Sequence, residues 1–280
     1  MNNLTSIAVL TCWHGPYPWY LPYFIHSCQF NPTIDFYIIT NNDESVPNKP
    51  DNVHLIFKTE ADLKKLAHTK LGFEINIDYP YKLNDFKPAY GFLFSEILKG
   101  YDFWAQSDLD VIFGNIRNFL QEDFLSNYDF ISVRHDYTSG CFALYRNIEK
   151  MNTYFMKSPH YKDIFLSSKH YCFDECSFAY APLKEGKSIF EIPTETISFT
   201  HLMKAAELTK DLRIHFDFIL LEGIPGDIEF NNGTLIYKSQ YEIILYHLIG
   251  VKTTFINKSV PEEIPSTYSI STTAFNLIEV

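Results

Sequence analysis

The run Ser6–Thr11 (SIAVLT) is apolar through four consecutive positions, Ile7 to Leu10, and has no polar face to show to water. A strand of that kind has to be covered on both sides, as parallel strands are when helices lie above and below them. It stops at Cys-Trp-His-Gly-Pro, a helix is expected over about Pro18–Cys28, and Ile34–Thr40 (IDFYIIT) follows, rich in β-branched and aromatic residues and ended by Asn41-Asn42-Asp43. Val53–Phe57 reads as a further short strand. Strand, helix, strand is the opening of a parallel sheet.

Further along, Glu60–Leu71 and Lys87–Leu98 have helical spacing, with a tyrosine-rich loop from Asp78 between them. Strands are predicted at Asp102–Ser107, Phe130–Arg134 and Cys141–Tyr145, and helices at Ile148–Met156 and Glu175–Ala181. In the remainder, strands are expected at Ile214–Leu221 and Thr234–Tyr237, and the tail after Pro261 shows no clear period. No linker, repeat or low-complexity tract interrupts the chain, so the reading is one α/β domain over 1–280 with an irregular C-terminal portion.

Charge narrows the function. The chain carries 34 Asp and Glu against 23 Lys and Arg, a net −11 at pH 7. Nucleic-acid surfaces and general membrane-binding faces need a basic excess, so neither is expected, and membrane contact is peripheral at most. No apolar stretch is long enough to span a bilayer and the start, Met-Asn-Asn-Leu-Thr, does not read as a signal peptide, so a cytoplasmic location is expected, with the inner face of the membrane as an option. Five cysteines, an odd number, argue against a disulfide framework. The Asn-x-Ser/Thr triplets at Asn3, Asn232 and Asn257 are pattern matches only.

In FWAQSDLDVIFG, Asp108 and Asp110 sit at i and i+2 directly after an apolar strand. On extended backbone both carboxylates leave the same face and can share one hard divalent cation, whose remaining positions suit phosphate oxygens. Aspartates are also common where strands turn. The end of a sheet strand is, however, where open α/β sheets collect ligands.

The stretch PYKLNDFKPAYGFLFSEILKGYDFWAQSDLDVIFG (Pro80–Gly114) resembles the signature of nucleotide-sugar glycosyltransferases of the GT-A type, and more narrowly a bacterial family found with surface-polysaccharide genes. Trp19–Asn42, SGCFALYRN (Ser139–Asn147) and FDE (Phe173–Glu175) share the likeness, which covers roughly the first two thirds of the chain. The resemblance implies a Rossmann-like, mostly parallel central sheet flanked by helices. Residues 1–147 would bind the nucleotide sugar and metal, and residues 148–280 the acceptor. Asp108 and Asp110 match the DxD motif that holds Mn²⁺ or Mg²⁺ against the diphosphate, with His247 in LYHLIGVK as a third ligand and Lys252 near a phosphate. Asp85 and Lys87 match an acid and base that address the donor, although Asp85 also reads as a helix N-cap and Lys87 as a first-turn residue. Thr11, Trp13 and Gly15 end the first strand, where base and ribose lie in such folds, and they read equally as packing and turn residues.

Glycosyl transfer with inversion needs a base near the acceptor hydroxyl. Asp174 and Glu175 are the candidates, against a reading in which Asp174 caps a helix beginning at Glu175. A zinc site from His170, Cys172 and Cys176 lacks a second ligand pair. No G-x-S-x-G elbow or Walker-type phosphate loop is present. The expected function is therefore metal-dependent transfer of a sugar from a nucleotide diphosphate, UDP first, to a hydroxyl of a glycan or glycolipid acceptor. The alternatives are a nucleotidyl or phosphosugar transferase on the same sheet, or a non-catalytic carbohydrate-binding protein.

Overall fold

The computed structural model describes residues 4–255, 258 and 260–277; the triplets at Asn3 and Asn257 lie partly outside them. Its centre is a seven-stranded sheet. Strand β1 (Ile7–Trp13) pairs parallel with β2 (Ile34–Thr40) on one side and β4 (Phe103–Ser107) on the other, Ile7 standing opposite both Ile34 and Phe103. β3 (Val53–Phe57) extends the parallel half. Beyond β4, β7 (Phe142–Arg146) runs antiparallel, then β6 (Phe130–Ser132) and β8 (Ile214–Phe216) complete the order β3-β2-β1-β4-β7-β6-β8. This is the mostly parallel α/β sheet expected. Ile7 to Leu10 are at most 1% exposed, with apolar layers on both faces, as the unbroken apolar run requires.

Two smaller sheets attach to it. β5 (Val111–Phe113) leaves the central sheet after the acidic pair and pairs antiparallel with β13 (Leu245–His247), which pairs parallel with β9 (Leu220–Glu222). β10 (Ile228–Asn231), β11 (Thr234–Tyr237), β12 (Tyr241–Ile243), β14 (Thr267–Ile270) and β15 (Phe275–Leu277) form an antiparallel sheet in the order β12-β11-β10-β14-β15. It packs on the helix Leu21–Gln29, where the Tyr23 and Phe275 rings stack at 4.0 Å. The C-terminal portion is thus more regular than its sequence suggested, because short strands with one covered face carry too few residues to display a period.

Four element expectations change. Lys87–Leu98 is not one helix: a 3₁₀ run spans Pro80–Ala89 and a single turn follows at Tyr90–Leu93. Pro88, with no N–H to give, lies inside that run, where an α-helix would lose a bond. Ile148–Met156 divides into the turns Glu149–Asn152 and Tyr154–Lys157. Ile214–Leu221 splits between β8 and β9, in two different sheets. Glu175–Ala181 is a turn with Ser177 and Phe178 at φ 52° and 64°, and the helix there begins only at Tyr180.

Gly91 has a steric reason to be glycine. A Cβ there would lie 2.4 Å from Asn152 Oδ1 and 2.5 Å from Trp104 Nε1, two atoms already joined by a 2.7 Å hydrogen bond beneath the sheet. Gly91→Ala is expected to lower stability by about 1–3 kcal/mol through overpacking. Urea denaturation measures it, and an unchanged midpoint would show that Trp104 gives way at no cost.

Candidate active site

At the carboxyl end of β4 the chain turns through Asp108-Leu109-Asp110 into β5. Leu109 is 2% exposed and anchors the turn in the core, and the Asp108 N–H donates to the Cys141 carbonyl (3.2 Å). In the β5–β13 pair Val111 faces His247, and the Leu248 N–H donates to the Asp110 carbonyl at 2.8 Å. Backbone pairing therefore brings His247 beside the acidic pair. Its Nε2 lies 3.5 Å from Asp110 Oδ2 and 3.9 Å from Asp108 Oδ2, and one donor atom from each of the three residues falls within 4.8 Å of the others. Two carboxylate oxygens and an imidazole nitrogen around one point suit Mn²⁺, or Mg²⁺, with positions left for phosphate and water. Among the described residues this is the one such cluster of three, and Cys172, Cys176 and His170 do not form another.

Charge in the site is closely balanced. Burial would raise Asp110, but His247 and Lys252, whose Nζ is 2.6 Å from Asp110 Oδ2, hold its carboxyl well below the usual carboxylate range. Burial would lower His247, yet Cys141, Asp110 and Glu222 hold it well above the ordinary histidine value. Cation binding there would accordingly release a proton. β9 places Glu222 opposite His247 in register, with Oε2 3.8 Å from Nδ1, a charge partner too distant for a hydrogen bond. Glu222 is itself held by Arg134 at 2.5 Å and lowered to about 2, by His247 first and Arg134 next, against burial.

Lys87, 3% exposed, gives its ammonium to Asp108 Oδ1 at 2.5 Å and the Gly140 carbonyl at 2.9 Å, and stands 3.6 Å from Asp174 Oδ2. It joins the two acidic groups rather than projecting freely. Glu175 is fixed through both oxygens: Oε1 accepts from the Gly140 N–H at 3.0 Å and Oε2 from the Tyr180 hydroxyl. Asp174, buried, is raised well above the usual carboxylate value by desolvation and by Glu175, with Lys87 opposing. No helix begins at Glu175, so the capping alternative for Asp174 falls away.

These groups line a cleft of about 770 Å³, with Trp13 on its wall, a size suited to a small-molecule ligand. Thr11, 2% exposed, is absent from the lining, and so is Gly15, whose φ of +118° turns the loop while its N–H donates to Asn41 Oδ1 at 2.8 Å. Asp85 is not on the wall either. It is fully buried, accepting from Lys82 Nζ (2.8 Å) and from the N–H groups of Tyr171 (3.0 Å) and Phe173 (2.9 Å). The structure thus places Asp85 behind the segment that carries Asp174 and Glu175. Arg134, Glu222 and Tyr180 went unremarked in the sequence. Arg134 and Glu222 pair across 88 residues, which no local pattern signals, whereas Tyr180 meets Glu175 within the same turn region.

Asp85 generates a stability prediction. Burial raises its pKa, but His170 and Lys82 outweigh that and hold it below the ordinary value. A depressed carboxylate contributes stability above its unfolded pKa and loses it as pH falls through its folded pKa. Asp85→Ala, which strands the Lys82 ammonium in the interior, is expected to cost about 3–5 kcal/mol at pH 7. The gap to wild type should narrow below about pH 4 in denaturation curves; a gap independent of pH would mean that the charge is not what is lost.

Three solved structures give a measure of likeness. Mouse xyloside xylosyltransferase 1, in its apo form, aligns with a TM-score of 0.47 at 10% identity, over 92% of this chain and 100% of that one. The galactosyltransferase LgtC, solved with donor and acceptor sugar analogues, scores 0.37 at 11% identity, over 77% and 75% of the two chains. The glycosyltransferase GlyE of Streptococcus pneumoniae scores 0.36 at 13% identity, over 76% and 45%. Likenesses at this level carry no weight for function. No curated protein sequence matches the chain. Residues 9–278 match the family described as a family of unknown function, DUF6625, and the chain belongs to that family.

Proposed function

We propose that the protein is a metal-dependent glycosyltransferase that moves a sugar from a nucleotide diphosphate, UDP in the first instance, to a hydroxyl of a bacterial surface glycan or glycolipid. The observation that carries this reading is the convergence of Asp108, Asp110 and His247 at one point of a cleft that also holds Asp174 and Glu175. Mn²⁺ or Mg²⁺ bound there would supply positive charge against the diphosphate in the ground state and as it leaves. The localisation that fits is the cytoplasm, with peripheral approach to membrane-borne acceptors. No helix among the described residues is long and apolar enough to cross a membrane.

The chain's own groups divide the work. Lys252, more than a third exposed and hydrogen-bonded to Asp110, sits at the rim where its ammonium can meet a phosphate oxygen. Lys87 keeps Asp108 and Asp174 apart in charge and fixed in place. Trp13 offers a ring for the nucleobase, while Thr11 and Gly15 shape the loop that carries it. Of the two acids, Glu175 is the base: its oxygens are fixed by Gly140 and Tyr180. Asp174, pushed up by desolvation and set beside Lys87, suits a hydrogen bond to a sugar hydroxyl. In an inverting transfer the acceptor oxygen bonds to the anomeric carbon as the bond from that carbon to the diphosphate breaks. The acceptor proton passes to Glu175 and the electron pair leaves with the nucleoside diphosphate.

Calorimetry with UDP is expected to show binding that depends on Mn²⁺ in the wild type and is lost in Asp110→Ala. Absence of metal-dependent nucleotide binding in the wild type would sink the reading. Glu175→Gln should lower the transfer rate by about 10²–10⁴-fold, and a larger loss in Asp174→Asn than in Glu175→Gln would reverse the assignment of the base.

A further inference from the structure

One wall of the cleft has no part in that division of work. It presents two rings to solvent, Tyr81 at 62% and Phe178 at 55% exposure, and both line the cleft. Each stands edge-on to the same imidazole: Tyr81 and His170 have ring centroids 4.9 Å apart at 83°, and His170 and Phe178 5.6 Å apart at 88°. His170 in turn is nearly buried, its Nδ1 3.1 Å from Asp85 Oδ1. The two exposed rings therefore rest on a buried ionic base, the Asp85–Lys82 pair, which stray surface aromatics would not need. The backbone also makes a concession to Phe178. It and Ser177 are consecutive residues at φ 64° and 52°, a conformation that bulky side chains avoid and that surroundings have to enforce.

Large apolar rings left exposed within a polar cleft mark ligand contact, and the groups beside them indicate the ligand. Asn84 and Lys184 line the same cleft and ask for hydroxyl or carbonyl partners. An acyl chain would leave them unpaired. An extended peptide would seek an open strand edge, whereas this wall is built from the 3₁₀ run Pro80–Ala89 and the turn after Glu175. A pyranose presents a face of C–H bonds, attracted to the electron-rich face of an aromatic ring, and an edge of hydroxyls.

Taking the proposed transferase reading as its basis, we infer that Tyr81 and Phe178, set on His170, form an acceptor subsite that stacks a pyranose and delivers one of its hydroxyls to Glu175. Saturation-transfer NMR tests it directly, with UDP and Mg²⁺ present and methyl glucoside, methyl galactoside and methyl N-acetylglucosaminide as probes, beside glycerol and a serine-containing peptide. At least one pyranoside is expected to gain saturation on its ring C–H protons. The signal should fall by about fivefold, the scale of one lost aromatic contact, in Tyr81→Ala and in Phe178→Ala. It should return in Tyr81→Phe and be unaffected by Phe190→Ala, which removes an exposed ring outside this cleft. No pyranoside signal, equal signals in the two alanine variants and wild type, or a stronger signal from the peptide would each overturn the subsite. Calorimetry of UDP separates the two levels: if UDP binds with metal while the pyranosides fail, the subsite alone is wrong, and if UDP does not bind, both readings fall.

Discussion

The backbone pairing of Val111–Phe113 with Leu245–His247 is the contact on which the candidate site depends. The central sheet by itself delivers Asp108 and Asp110 to its carboxyl edge. Only the Leu248 N–H donating to the Asp110 carbonyl, and the register of His247 opposite Val111, bring an imidazole from the C-terminal part of the chain within metal-sharing distance. The same small sheet carries Glu222 to the far side of that imidazole through β9. A ladder of backbone hydrogen bonds is stiffer than side-chain packing, which makes strand ends suitable places to hold three ligand atoms around one point.

Around that point, charge is arranged in alternating layers. Lys87 lies between Asp108 and Asp174, Lys252 beside Asp110, and Arg134 between Glu222 and Asp136. Buried charges persist only when paired and hydrogen-bonded, so the acids that would hold a cation are also kept in place by cations of the chain. The net charge of −11 therefore does not describe the cleft, where lysine and arginine nearly match the acids. The cleft presents a locally balanced surface, which a bound divalent ion would tip towards positive.

Much of the first half was legible because its strands announce themselves. Ile7 to Leu10 and IDFYIIT are apolar enough to require burial on both faces, and Asp-Leu-Asp after FWAQS is a local pattern with a local meaning. Asp85 shows the limit of such reading. Its place before Lys87 suggested a ligand-facing acid, yet the 3₁₀ turn points it inward to Lys82, Tyr171 and Phe173. Glu175 shows the converse: its side chain is fixed by Gly140 and Tyr180, and no helix periodicity around it is real.

By itself the sequence determined that the chain builds a mostly parallel α/β sheet and that its acidic pair ends a buried strand, because burial and strand periodicity are properties of short segments. Tertiary structure decided which acids face the cleft and which support it, that His247 joins the acidic pair, and that Arg134 and Glu222 belong to the site. Those outcomes rest on pairings between segments far apart in the chain, whose register no local pattern encodes.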